Sequence, residues 1–152
     1  MKTLTGLEIE MAFSVIVKDK PEELVFDVPS KWCRITINDF TEDFAVPLDT
    51  WDIGEYQSQW AASLKAIVEG ADKACLVTAM RNPKDADFIA MFVLYRVGQA
   101  VFVQNQIVLC GGNESKISNE QFDSLIEGRE TQTEDGAKIS EWRTSIQEIA
   151  NA

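Results

Sequence analysis

The 152-residue chain contains no histidine. That removes Ser-His-Asp triads, Cys-His dyads and every imidazole-ligated metal from the chemistry open to it. Cysteine is scarce: Cys33, Cys75 and Cys110 are odd in number, widely spaced and without a CxxC pair. Each lies in an apolar segment, so they read as buried, reduced thiols of a cytosolic protein. Cations are in deficit, with 14 Lys and Arg against 25 Asp and Glu and a formal charge of -11. Duplex nucleic-acid binding draws on clustered Lys and Arg and is disfavoured by such a balance. No apolar run approaches the ~18 residues that a bilayer span requires. The longest, Phe88 to Tyr95, fits a buried strand. Met1 to Gly6 leads into alternating Glu and apolar residues, so no secretory leader is expected.

What remains is a globular composition, 45% apolar and 26% charged, in one domain-sized chain spanning 1–152. Leu7 to Val17 alternates with period two and predicts a half-buried strand. Asp19-Lys20-Pro21 predicts a turn. Two short strands are expected at Leu24 to Val28 and Trp32 to Asn38, separated by Pro29-Ser30-Lys31, with an irregular or edge strand from Phe40 toward Pro47. Ile53, Tyr56, Trp60, Leu64 and Ile67 form one helical stripe. Asp52 with Glu55 is its box-like start, Gly70 its stop, and Trp51 a candidate hydrophobic staple. Three strands follow: Ala74 to Met80, Phe88 to Tyr95 and Val101 to Leu109, the last two joined by a tight hairpin at Gly98. Ser118 with Gln121 marks a short helix carrying Phe122, Leu125 and Ile126. The spacing of Ile139, Trp142, Ile146 and Ile149 predicts a last helix from about Ala137. Hairpins with segregated helices define an α+β fold, a mainly antiparallel sheet with about three helices packed on it.

Carboxylate pairs occur at Glu22-Glu23, Glu42-Asp43, Asp49 with Asp52, Asp85 with Asp87, and Glu134-Asp135. None has the spacing of a calcium loop, and an acid-rich chain produces such pairs by chance, so they read as solvated surface. Gly111-Gly112 follows a strand but lacks both phosphate-loop patterns, and Glu114 beside it opposes an anion. Ser, Cys and Lys nucleophiles have no matched base. No catalytic residue, metal ligand or cofactor is assigned, and a non-enzymatic role is expected. The charge is unevenly spread. Residues 1–60 hold 12 acids and 5 bases, residues 61–112 hold 4 and 5, and residues 113–152 hold 9 and 4. The middle is neutral scaffold and the ends display acid, a distribution that steers a protein onto a basic partner.

The segment Trp51-Asp52-Ile53-Gly54-Glu55-Tyr56-Gln57-Ser58-Gln59-Trp60-Ala61-Ala62-Ser63-Leu64 resembles a WxxxxYxxQWxxxL pattern of immunity proteins from contact-dependent growth inhibition systems. The matching residues are Trp51, Tyr56, Gln59, Trp60 and Leu64, about a tenth of the chain; the remainder matches in layout. The resemblance implies a cytoplasmic protein that binds and neutralises the C-terminal toxin domain of a cognate CdiA-type effector. It implies no membrane or direct nucleic-acid partner. Such toxins are often basic nucleases, frequently RNases, which suits an acidic inhibitor. The motif residues are expected to be structural, with Gln59 bonding a neighbouring loop carbonyl. Acid clustering points to Asp39, Glu42, Asp43, Asp49 and Asp52, with Trp51, as the toxin-binding face, and to Asp85 and Asp87 as a competing face. The alternative function is a small acidic ligand- or metal-binding domain, or a carboxylate-based enzyme. The two differ in what they need: the first a partner surface, the second a concave site with convergent acids.

Overall fold

The computed structural model describes residues 12–80, 88–109 and 124–152. These form two four-stranded antiparallel sheets. In the first, β1 (Phe13–Val17) and β2 (Glu23–Val25) lie end to end along one side of β3 (Val28–Ile37), and β4 (Phe40–Pro47) lies along the other. The break between β1 and β2 falls at Asp19-Lys20-Pro21, where the turn was expected. The second sheet is a meander of β5 (Lys73–Ala79), β6 (Phe88–Val97), β7 (Ala100–Leu109) and β8 (Trp142–Ser145). Gly98, at φ +64°, occupies the first turn position between β6 and β7, a backbone angle that side chains rarely take.

Helix α1 (Ile53–Val68) begins as the sequence predicts. Asp52 Oδ1 accepts from the Glu55 N–H at 2.8 Å, and Glu55 Oε1 accepts from the Asp52 N–H at 3.2 Å. This reciprocal cap is worth about 1 kcal/mol. Trp51 meets Tyr56 edge-on with centroids 5.2 Å apart, the hydrophobic staple at the same end. The helix stops at Glu69, and Gly70 follows at φ +122°. A second helix, α2 (Ile146–Ala150), packs near α1. No helix among the described residues is long and apolar enough to cross a membrane.

The core lies where the two sheets and α1 meet. Cys33, Ile35 and Ile37 of β3 are fully buried, and β6 is buried on both faces from Met91 to Tyr95. Phe44 of β4 joins them, edge-on to both Trp60 of α1 and Phe92 of β6. Such aromatic pairs add specificity to the area they bury.

Several expectations require correction. The described residues contain two helices rather than about three. The stripe Ile139, Trp142, Ile146, Ile149 is not one helix. Trp142 to Ser145 pairs with Val103 to Ala100 as the edge strand β8, and α2 starts only after Ser145, whose Oγ accepts from the Glu148 N–H at 3.1 Å. Pairing with a buried strand outweighed a helical spacing that four residues matched by coincidence. Pro29-Ser30-Lys31 does not separate strands but lies inside β3. Pro29 needs only its carbonyl there, which accepts from the Leu48 N–H at 2.8 Å. The turn falls instead at Phe26 and Asp27, between β2 and β3. β4 pairs with β3 alone and is the edge strand expected there, though regular in its register. The predicted Leu7–Met11 strand start, the Asn82–Asp85 turn, Cys110, Gly111-Gly112 and the Ser118–Gln121 box lie outside the described residues; Ser124 and Leu125 are helical.

Candidate functional site

The motif residues converge on the outer edge of β5. This strand pairs with β6 on one side, and among the described residues no strand pairs with it on the other. Gln59 Nε2 donates to the Cys75 carbonyl at 2.8 Å, and Gln59 Oε1 accepts from the Val77 N–H at 2.8 Å. Trp60 Nε1 donates to the Val77 carbonyl at 2.7 Å. Tyr56 Oη donates to the Pro47 carbonyl at 2.7 Å and accepts from the Met80 N–H at 3.0 Å. One helix face thus closes a strand edge that would otherwise bury unsatisfied polar groups. Leu64 packs partly buried against the core. The expected structural role of these residues fits this geometry, except that Gln59 bonds a strand rather than a loop.

The predicted acids are not gathered into one patch. Asp39 is exposed in the β3–β4 turn, and Asp49 is exposed in the loop after β4. Glu42 and Asp43 are neighbours in β4 and so point to opposite faces. Asp43 accepts from Arg34 Nε at 2.6 Å and from Lys18 Nζ at 2.6 Å. Its hydrogen bonds to Arg34 and Lys18 hold its carboxyl well below the usual range, so its charge is already matched within the chain. Asp52 is occupied as the cap of α1, and Trp51 is half-buried against Tyr56. Asp85 and Asp87 lie outside the described residues. Among the described residues, no three His, Cys, Asp or Glu side chains gather as metal ligands would.

A polar network covers one face of the second sheet. Gln104 Nε2 donates to Glu141 Oε2 at 2.9 Å and to the Glu130 carbonyl at 2.9 Å. Tyr95 Oη donates to the Glu127 carbonyl at 2.9 Å. Arg129 pairs with Glu141 at 2.6 Å and stacks 3.9 Å from the Phe102 ring centroid. Hydrogen bonding to Arg129 holds the Glu141 carboxyl below its ordinary value, while burial raises the Tyr95 phenol. These contacts tie the irregular segment 126–141 to the sheet.

One surface feature was missed by sequence reasoning. The β2–β3 hairpin turns on Phe26 and Asp27, at φ 49° and 62°. Phe26 is 95% exposed and Leu24 69% exposed. Positive φ at both positions is the type I′ geometry that favours Asn-Gly; Asp27 suits it, but Phe26 beside it hides the turn. Beside the turn lies an open groove of about 440 Å³, lined by Val25, Phe26, Val28, Trp32, Phe44 and Phe88 among others.

An acidic α+β protein with a strand edge closed by a helix and a projecting apolar turn offers the kind of surface that contact with another macromolecule uses. A family model described as the CdiI N-terminal domain matches residues 46–152. The immunity protein CdiI of Enterobacter cloacae subsp. cloacae is 33% identical over 142 residues, covering 90% of this chain and 93% of that protein. A solved CdiA-CT/CdiI toxin and immunity complex from Enterobacter cloacae contains a chain that superposes with a TM-score of 0.81 at 30% identity, covering 91% of this chain and 94% of that one. The chain belongs to the CdiI immunity protein family.

Proposed function

We propose that this chain binds the C-terminal toxin domain of a cognate CdiA effector in the cytoplasm of the cell that makes it, and blocks that domain without chemistry of its own. The observation that carries the reading is its near full-length likeness to a protein solved as a toxin and immunity complex. The toxin is a basic nuclease, acting on RNA. A charge of -11 supports this finer statement, because carboxylates complement a surface built to hold phosphates. Asp39, exposed in the β3–β4 turn, and Glu42 are the acids of the predicted face that we take to attract such a partner.

The test is co-purification of the chain with the toxin domain encoded beside it, followed by digestion of RNA by that domain with and without the chain. Tight binding with loss of RNA cleavage supports the proposal. A bound toxin that never cleaves RNA keeps the immunity role and removes the nuclease. Absence of both binding and protection of growing cells removes the role itself.

A further inference from the structure

Phe26 is the wrong residue for folding at its position. A bulky side chain at positive φ is strained, and Asn or Gly would relieve it at either turn position. Burial does not compensate, since the ring is 95% exposed. Two residues earlier Leu24 is 69% exposed, so two large apolar side chains project from one short hairpin. The hairpin is well anchored beneath them. Trp32 Nε1 of β3 donates to Glu23 Oε1 of β2, and the Lys20 ammonium stands 5.4 Å from the Trp32 ring centroid. The Lys31 ammonium is held by the Lys20 carbonyl. Both neighbouring cations are thereby engaged at the hairpin base. Between Pro21 and Ser30 the chain carries Glu22, Glu23 and Asp27, all exposed, and no base. A rigid apolar tip ringed by acids, on a chain of charge -11, is complementary to an apolar pocket ringed by Lys and Arg.

We infer that the β2–β3 hairpin is the anchor by which this chain grips its toxin. Phe26 enters a pocket of the toxin domain, Leu24 packs beside it, and Glu22, Glu23 and Asp27 meet basic side chains at the pocket rim. This rests on the toxin-binding function proposed above and adds to it the point of contact and the chemistry of the surface that receives it. A preformed, strained turn loses little freedom on docking, which favours slow dissociation. The rim acids act mainly on the rate of encounter.

The experiment compares wild type, Phe26→Asn, Leu24→Ser and the double variant Glu22→Gln/Asp27→Asn. Affinity and association rate for the toxin domain encoded beside this chain are measured across a salt series, and each free protein is melted. Phe26→Asn is expected to weaken the complex by about tenfold or more, through faster dissociation. Its melting temperature should equal or exceed that of wild type, because Asn relieves the turn. Leu24→Ser should weaken the complex in the same way. The double variant should associate more slowly at low salt and show a shallower salt dependence. Wild-type binding with Phe26→Asn within about twofold of it overturns the anchor and leaves the toxin-binding function standing. A clear fall in the melting temperature of Phe26→Asn assigns the ring to folding and also overturns the anchor. Wild type that does not bind the toxin domain removes the function and the anchor together.

Discussion

The side-chain amide of Gln59 and the backbone of Val77 stand to each other as residues of adjacent strands do. Gln59 Oε1 accepts the Val77 N–H at 2.8 Å, while its Nε2 donates to the Cys75 carbonyl two residues earlier at 2.8 Å. A primary amide presents the same donor and acceptor as a peptide group, so a single helical residue supplies two bonds of a missing ladder. Trp60 and Tyr56 extend the same edge to the Val77 carbonyl and the Met80 N–H. The motif WxxxxYxxQWxxxL is therefore the sequence image of one helix–strand junction.

Gln59→Leu should destabilise the protein by about 2–4 kcal/mol, because it removes the bonds that Gln59 makes to the buried Val77 N–H and Cys75 carbonyl at little change in volume. Chemical denaturation at neutral pH measures this. A loss below about 0.5 kcal/mol, the size of an ordinary surface substitution, contradicts the junction.

The ion pairs of Asp43 with Arg34 and Lys18, and of Glu141 with Arg129, carry a defined pH dependence. Both carboxyls are held below their ordinary values by those hydrogen bonds. A depressed folded value stabilises above the unfolded pKa, near 3.9 for Asp and 4.3 for Glu, and that contribution is lost as pH falls toward the folded value. Asp43→Asn and Glu141→Gln should each lower stability at pH 7, and the gap from wild type should close below about pH 4. Denaturation midpoints at pH 7, 5 and 3 give the comparison. A gap that widens on acidification has the wrong sign. Because both pairs lie at the surface, the gap at pH 7 should also narrow in high salt.

Cys33 is buried under the first sheet, and burial pushes its thiol up to about 12, against a smaller opposing influence of Lys31. Cys75 is buried beside Gln59. In a Cys110→Ser background, the native protein should leave a disulfide reagent unreacted at pH 8, and two thiols should appear on unfolding. Rapid labelling of the native background would show that one of these strands opens to solvent.

Much of this architecture is legible in the amino acids where local chemistry and tertiary structure agree. Asp52 and Glu55 announce the start of α1, Gly98 the β6–β7 turn, and the unbroken apolar run at Phe88 a strand buried on both faces. Legibility fails where partners are distant. Asp43 meets Arg34 only because the β3–β4 register sets them opposite each other, so the free acid suggested by composition is a paired one. Trp142 becomes a strand residue because Val103 is available to pair with it. Phe26 and Asp27 hold a turn in which only Asp27 is a turn former, and the bulky Phe26 masks it from local rules. The motif was visible as a pattern, yet its physical meaning required the edge of β5 that it covers, which belongs to a segment some sixteen residues further on.

The capping of β5 also bears on how the protein behaves in bulk. An unpaired strand edge is a template for lateral growth, and sheets left open in this way recruit one another into aggregates. Here Gln59, Trp60 and Tyr56 occupy the sites a foreign strand would need. The same three side chains that complete the fold therefore make this border of the sheet inert, and copies of the chain can accumulate at high concentration without joining along it.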